Sequence, residues 1–382
     1  MQITRRLATF GLLASGGLSA CASGMRAPLA PAPAEEVMPA VPNPGWDAWV
    51  QNFRSRATSR GISPGTFDRA FANAGYMPGV IERDRSQTEF TRTLEDYLQI
   101  AAGPKKVALG RDAFTRQRPA LAAIEARYGV PAEIVAAIWG VESNFGTRRG
   151  AIPVVSALST LAYDGRRGAF FESQLVEALR ILQNGDVTPE RMTGSWAGAM
   201  GHTQFIPTSY ASLAVDFDGD GRRDIWSDDP TDALASTANY LARNGWRQGE
   251  PWGHVITPAN PGAGGTVIQP QPGGPSFRVF HNFNVIKRYN NSTNYALGVG
   301  HLSDRLTGAP AIEGPFPPDR YGLVKSQRLE LQQRLNAAGY DAGDPDGVLG
   351  SQTAAAIRAF QQARGLPVTG EPSVALLRAL GG

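Results

Sequence analysis

The sequence predicts a mainly α-helical protein with a small β element and a separate C-terminal module of three helices. Three observations carry that expectation. Apolar residues recur at intervals of three and four along most of the chain, which marks helices with one buried face. No series of strand-length alternating segments accompanies them. A Gly- and Pro-rich stretch at 308–321 separates a long first part from a final segment with its own helical pattern. The 382 residues are enough for two or three domains.

In chain order, Arg5 and Arg6 precede an apolar run from Leu7 to Leu18, and Leu18-Ser19-Ala20-Cys21 follows. A basic start, a short apolar core and small residues before a cut site form an export signal rather than a membrane span, covering 1–21. Cys21 is the single cysteine, so neither an internal disulfide nor a cysteine metal cluster can form. Residues 22–45 repeat Pro and Ala without an apolar period and read as an extended tether.

Helices are expected from Trp46 onward. Trp46, Trp49, Val50 and Phe53 form a first stripe, Gly61 breaks it, and Ser63-Pro64 starts a helix with Phe67, Ala70 and Phe71. Ser86 and Glu89 have capping-box spacing ahead of Phe90, Leu94, Tyr97 and Leu98. Phe114, Leu121, Ile124 and Tyr128 mark a helix leading into a central one between Pro131 and Gly146, where Ile134, Ile138, Val141 and Phe145 share a face. Phe171, Leu175, Leu179 and Leu182 mark a helix ended by Asn184-Gly185. Leu234, Ala238 and Leu241 mark another, ended by Asn244-Gly245. Residues 257–276 read as a Gly/Pro-rich surface excursion, with Phe277 to Phe280 in a small hairpin. Beyond the linker, Leu331, Leu335 and Ala338 mark one helix. Ser351 is the expected N-cap of the next, and Glu371-Pro372 opens the last, with Leu376, Leu377 and Leu380. At roughly sixty residues this module has a small but feasible core.

Several chemistries are excluded. A net charge of +3 with both signs interspersed offers no nucleic-acid face. The four histidines have no zinc spacing. Gly194-Ser195-Trp196-Ala197-Gly198 falls one position short of GxSxG and no strand leads into it.

Three sets remain. Glu142 sits in the last turn of the central helix with Ile138 and Trp139 one turn behind it. The negative helix end and an apolar wall both disfavour a carboxylate, and so favour a neutral acid suited to glycoside cleavage. Gly194 to Tyr210 combines small residues, which admit a ligand close to the backbone, with Ser195, Gln204 and Tyr210. Tyr289, Asn290, Asn291 and Tyr295 offer ring faces for sugars and amides for hydroxyl and acetamido groups. A surface Glu, a tight loop and a capped helix start with core tyrosines are the corresponding plain readings.

Trp139-Gly140-Val141-Glu142-Ser143, the Gly194 to Pro207 motif, Asp216 to Trp226 and Arg288-Tyr289-Asn290-Asn291-Ser292 follow one another in an order and spacing that resemble the lytic murein transglycosylases of the B type, over residues 46–307. The resemblance implies a lysozyme-like helical fold and cleavage of the bond between N-acetylmuramic acid and N-acetylglucosamine in peptidoglycan. It implies Glu142 as the acid/base, Ser195 as a hydrogen-bonding neighbour, and Gln204 and Asn290 as polar groups of the cleft. Tyr97, Tyr240, Tyr289 and Tyr295 become its aromatic side chains, and Arg166 and Arg167 a pair for muramyl lactyl or peptide carboxylates. Hydrolytic glycosidases generally use two carboxylates. These motifs hold one, since Asp164 reads as a solvated loop residue. One Glu suffices if the muramyl C6 hydroxyl closes on C1, so the resemblance implies a non-hydrolytic cut that leaves a 1,6-anhydro end. A muramidase that uses water and an inactive wall-binding lipoprotein remain as alternatives.

Asp216-x-Asp218-x-Asp220-Gly221, with Asp224 at position nine, fits the start of an EF-hand loop, but Ser227 replaces the closing Glu. The resemblance closes a longer loop with Asp232. It gives Asp216, Asp218, Asp220, Arg222 and Asp232 as a set for a structural calcium or sodium ion, against a metal-free turn. No cofactor is expected for the reaction itself. Cys21 after Leu-Ser-Ala resembles a lipobox, and Ala22 behind it favours a lipid anchor at the periplasmic face of the outer membrane over a plain cleaved signal. Residues 322–382 resemble the common peptidoglycan-binding domain through Leu331-Gln332, Gly339-Tyr340, Asp346-Gly347, Phe360-Gln361 and Thr369-Gly370. The expected partners are glycan strands and, through the lipid, a membrane.

Overall fold

Every residue of the helix Ala132–Ser143 except Glu133 is buried, enclosed by four other helices of the first domain. The computed structural model describes residues 38–86 and 92–381. Among the described residues six helices precede the central one: α1 (Pro44–Ser59), α2 (Pro64–Phe71), α3 (Pro78–Arg85), α4 (Leu94–Ala102), α5 (Pro104–Arg116) and α6 (Arg118–Tyr128). The central helix is α7. It is followed by β1 (Ile152–Pro153), α8 (Val154–Asp164), α9 (Gly168–Asn184), β2 (Thr193–Gly194), α10 (Pro207–Leu213) and α11 (Thr231–Arg243). Then come β3 (Gly253–Val255), β4 (Thr266–Ile268), β5 (Phe277–Val279), α12 (His281–Tyr289) and α13 (Thr293–Leu306). The C-terminal module holds α14 (Lys325–Ala337), α15 (Ser351–Ala363) and α16 (Val374–Ala379) around Leu331, Leu335, Ile357, Phe360 and Leu377.

The sequence showed one apolar stripe on α7. The structure buries its other sides too, because Ala136, Ala137 and Gly140 are small enough for α5, α6, α11 and α13 to close in. Mainly helical architecture with small sheets is therefore as expected, and several details differ. The helix containing Phe114 to Tyr128 is two helices, because Pro119 restarts it within the first turn of α6 after Gln117. The first domain begins before Trp46: Val41 donates to Tyr76 O at 2.8 Å, and Asn43 caps α1. Ser86 ends α3 instead of opening the next helix, and α4 is capped by Thr93; Glu89 and Phe90 lie outside the described residues. The hairpin is the centre of a three-stranded antiparallel sheet in the order β3-β5-β4, so the 257–276 excursion supplies a strand. β1 pairs with β2, joining the segment after α7 to Gly194. In the module, Gly350 precedes α15 as its cap, and Ser373 caps α16 through Leu376 N at 3.0 Å. The export signal, Cys21 and most of the tether lie outside the described residues.

Candidate active site

Glu142 stands in the last turn of α7 with 7% of its surface exposed. The helix stops there, three residues before Gly146, because Asn144 and Phe145 both take left-handed backbone (φ 51° and 57°). Two successive residues with a Cβ in that region are strained and need support. Phe145 supplies it by folding back under the helix. A Cβ on Gly140 or on Gly110 of α5 would lie 2.4 or 2.5 Å from its ring, and Trp139 meets the ring edge-on at 5.6 Å. Glycine at these two positions is what lets the reversal pack beneath Glu142.

Four tyrosines form the wall. Tyr295 of α13, 1% exposed, donates its hydroxyl hydrogen to Oε1 of Glu142 at 2.8 Å. Tyr97 of α4 is buried. Its burial and the charge of Glu142 push its phenol well above the usual range, so the ring stays neutral. Tyr289 lies nearly parallel to Tyr295 at 6.4 Å and donates to Thr203 O at 2.7 Å. Tyr240 packs on Tyr289 at 4.7 Å and donates to Arg288 O at 2.6 Å. The reversal from α12 to α13 makes this possible: half-buried Asn290 ends α12, and Ser292 caps α13 by accepting from Tyr295 N at 3.3 Å. Tyr295 was expected to face sugar, but its hydroxyl holds the carboxyl group. Tyr295→Phe is expected to lower kcat by about tenfold, the scale of one hydrogen bond to a charged group. Initial rates of sacculus lysis check this.

The Gly194 to Pro207 stretch is fastened to the end of α7. Ser143 Oγ donates to His202 O at 2.5 Å, and Trp139 Nε1 donates to His202 Nδ1 at 3.0 Å. That leaves Nε2 as the N–H of the ring, donating to Ser227 O at 2.7 Å, and burial lowers the pKa of the imidazole accordingly. Gln204, left-handed at φ 54° and 8% exposed, donates to Arg149 O and Gly201 O at 3.0 and 2.8 Å. Ser195, half-buried, shapes its own turn: its N–H donates to Ala199 O at 2.8 Å and its Oγ accepts from Ala199 N at 3.1 Å.

Sequence reasoning missed Lys106. It reaches across from α5 to donate to Gly140 O at 2.9 Å, and burial, then Arg148, lowers its ammonium to about 8. A cation at this helix end offsets part of the dipole field that the sequence argument counted against a carboxylate at position 142. Nothing local to Lys106 signals this, because its partner lies on another helix.

Arg166 and Arg167 are held elsewhere. Arg166 Nε is 2.8 Å from Oδ2 of buried Asp84, and Arg167 lies over Phe170 and Phe171 at 4.5 and 5.2 Å. Asp164, read as a solvated loop residue, is the last residue of α8, its side chain 8% exposed and paired with Arg85 at 2.5 Å.

Carboxylate oxygens of Asp216, Asp218 and Asp220 lie within 4.8 Å of one another, a spacing one cation can bridge. The same groups close their own turns: Asp216 accepts from Gly219 N and Gly221 N at 2.7 and 2.9 Å, and Asp220 from Arg222 N at 2.8 Å. Asp232, 4% exposed, falls outside this trio. It accepts from Phe217 N at 2.8 Å and Asp224 N at 3.0 Å, tying the two ends of the loop, and burial raises its carboxyl to about 6. Asp224 turns back to accept from Trp226 N and Ser227 N at 2.8 and 3.0 Å.

Comparison with known proteins bears on this geometry. Residues 45–263 and 257–304 match the transglycosylase SLT domain, and residues 325–380 a peptidoglycan binding domain. The chain is 35% identical over 210 residues to the membrane-bound lytic murein transglycosylase B of Escherichia coli (strain K12). That match spans 47% of this chain and 58% of the relative. It is 45% identical to SltB3 from Pseudomonas aeruginosa, solved in complex with NAG-NAM-pentapeptide, with a TM-score of 0.70 over 88% of this chain and all of that one. Slt35 from Escherichia coli, solved in complex with calcium, is 28% identical, with a TM-score of 0.59 over 69% of this chain and 93% of that one. With the family model covering most of the chain and a solved relative matching in both sequence and fold, the chain belongs to the lytic murein transglycosylase B family, with a C-terminal peptidoglycan-binding domain.

Proposed function

We propose that the protein cuts peptidoglycan glycan strands between N-acetylmuramic acid and N-acetylglucosamine without water, with Glu142 making both proton transfers. The observation that carries this reading is the buried carboxyl group with Tyr295 on Oε1. In this reading the hydrogen bond holds Oε1, and the other carboxyl oxygen carries the proton that is donated. Glu142 protonates the glycosidic oxygen and the bond to C1 breaks. The resulting carboxylate takes the proton of the muramyl C6 hydroxyl as that oxygen bonds to C1. The residue returns to its starting state and the product carries a 1,6-anhydro ring. The engagement of Asp164 by Arg85 favours one carboxylate over two. Ser195, Gln204, Asn290 and the faces of Tyr240 and Tyr289 are proposed to line the cleft. Arg166, half exposed beside Asp84, and Arg167 are proposed to meet a muramyl lactyl or peptide carboxylate. Digesting purified sacculi and weighing the products tests the reading: anhydro ends, lighter by one water, are expected, and reducing muramic ends would refute it.

The aspartate loop is proposed to hold a structural cation, supported by the convergence of Asp216, Asp218 and Asp220 and by the calcium complex of Slt35. Calcium is then expected to raise the melting temperature over a chelator-treated sample by about 3 °C, and Asp218→Asn to remove the difference. Identical melting curves would retire the ion. Attachment to the outer membrane through lipid on Cys21 is likewise proposed from the lipobox. No helix among the described residues is long and apolar enough to cross a membrane. Loss of membrane association in Cys21→Ser is the expected result.

A further inference from the structure

The C-terminal module meets the catalytic domain at a buried charge. Arg328 of α14 is 1% exposed. Its guanidinium lies 2.7 Å from Glu95 Oε2 and 3.1 Å from Asp96 Oδ1, both in the first turn of α4, and 3.7 Å from Asp319 Oδ2 in the linker. Its other N–H groups donate inside the module, to Gly347 O at 2.8 Å and Leu323 O at 3.0 Å. Beside it Lys325 donates to Gln99 of α4 at 2.8 Å. Burying a guanidinium is costly unless carboxylates and carbonyls surround it, and here both domains supply them. Domains joined only by a loose linker share no such group. The contact also falls at a telling place: Tyr97, the residue after Asp96, belongs to the Glu142 wall, and α4 packs on α13, which carries Tyr295.

We propose that Arg328 is a positioning residue for the active site, holding α4 through Glu95 and Asp96 so that Tyr97 is set against Glu142 and the module keeps a fixed place relative to the cleft. This rests on Glu142 being the catalytic group. The module is then part of the cleft's architecture as well as an anchor to the wall.

The test compares the full wild-type chain with Arg328→Met and, separately, with Glu95→Gln combined with Asp96→Asn. Each is assayed on intact sacculi and on a soluble tetrasaccharide of alternating N-acetylglucosamine and N-acetylmuramic acid, which offers the module no long strand to anchor on. On the tetrasaccharide kcat is expected to fall about tenfold in both variants with KM little changed, the scale of a small misplacement of catalytic groups. Arg328→Lys, which keeps the charge, should recover part of the loss, and small-angle scattering should show expansion of the two clamp-breaking variants. The double variant leaves the bonds of Arg328 to Gly347 and Leu323 in place, and so decides the matter if Arg328→Met does not fold. Wild-type kcat on the tetrasaccharide in the double variant, with loss on sacculi alone, would overturn the proposal and leave the module as an anchor only. Should wild-type products carry reducing ends, the non-hydrolytic reading fails, and the ratio of kcat values still decides the role of Arg328.

Discussion

Glu142→Gln is expected to lower the rate of glycan cleavage by about 10⁴-fold, because one side chain serves both proton transfers and an amide can do neither. The substitution preserves shape. The hydroxyl of Tyr295, 2.8 Å from Oε1, can donate to the amide oxygen as it does to the carboxyl. The buried site loses an ionisable group and gains a neutral one of equal size, so the melting temperature should hold or rise. Turbidity of sacculi and chromatography of released fragments give the rate, and thermal unfolding gives the control. Residual activity within tenfold of wild type would mean that another group moves the protons.

Gly150→Ala is expected to be among the most damaging small changes outside the carboxyl group. Its φ is 85°, and an added Cβ would lie 2.3 Å from the carbonyl carbon and oxygen of Gly194. Those are backbone atoms in the β1–β2 pairing, immediately before Ser195, so relief requires moving the loop that carries Ser195 and Gln204. Backbone strain and overlap together cost about 3 kcal/mol, or a melting temperature lower by about 6 °C. Gly185→Ala is the matched control. It has a similar φ of 82° with nothing within 4 Å of the new Cβ, so only the backbone cost of about 1 kcal/mol applies. Activity in Gly150→Ala should fall further than the unfolded fraction explains, whereas Gly185→Ala should keep full activity per folded molecule.

What the sequence made legible was local. The stripe of α7, the Asn184-Gly185 stop of α9 and the Ser63 cap of α2 each depend on residues within a few positions of one another. Glu142 could be singled out for the same reason. α8 escaped because its period is hidden: Ser156, Ser159 and Thr160 are buried among the apolar residues. Ser156 and Thr160 have an unexpected purpose there, accepting from Gly75 N and Met77 N at 3.1 Å each and pinning the start of α3. The site's organising contacts were likewise out of reach. Tyr295 meets Glu142 across 153 positions of sequence, and Arg328 meets Glu95 across 233. Such pairings follow from where helices cross, and no spacing rule encodes them. The hydrogen bond of Tyr295 to Glu142 was hidden on the same ground, since its residue type suited a carbohydrate surface and only the packing of α13 on α7 sets its hydroxyl against the carboxyl group.

The sharpest measurement is cleavage of glycan in water enriched in the heavy oxygen isotope, followed by mass analysis of the new muramyl ends. Ring closure by the C6 hydroxyl draws both oxygens from the sugar, so no label should enter the product at any extent of digestion. Labelled oxygen at C1 of fresh ends would show that water is the nucleophile, and one carboxyl group working with the substrate's own hydroxyl would no longer describe the chemistry at Glu142.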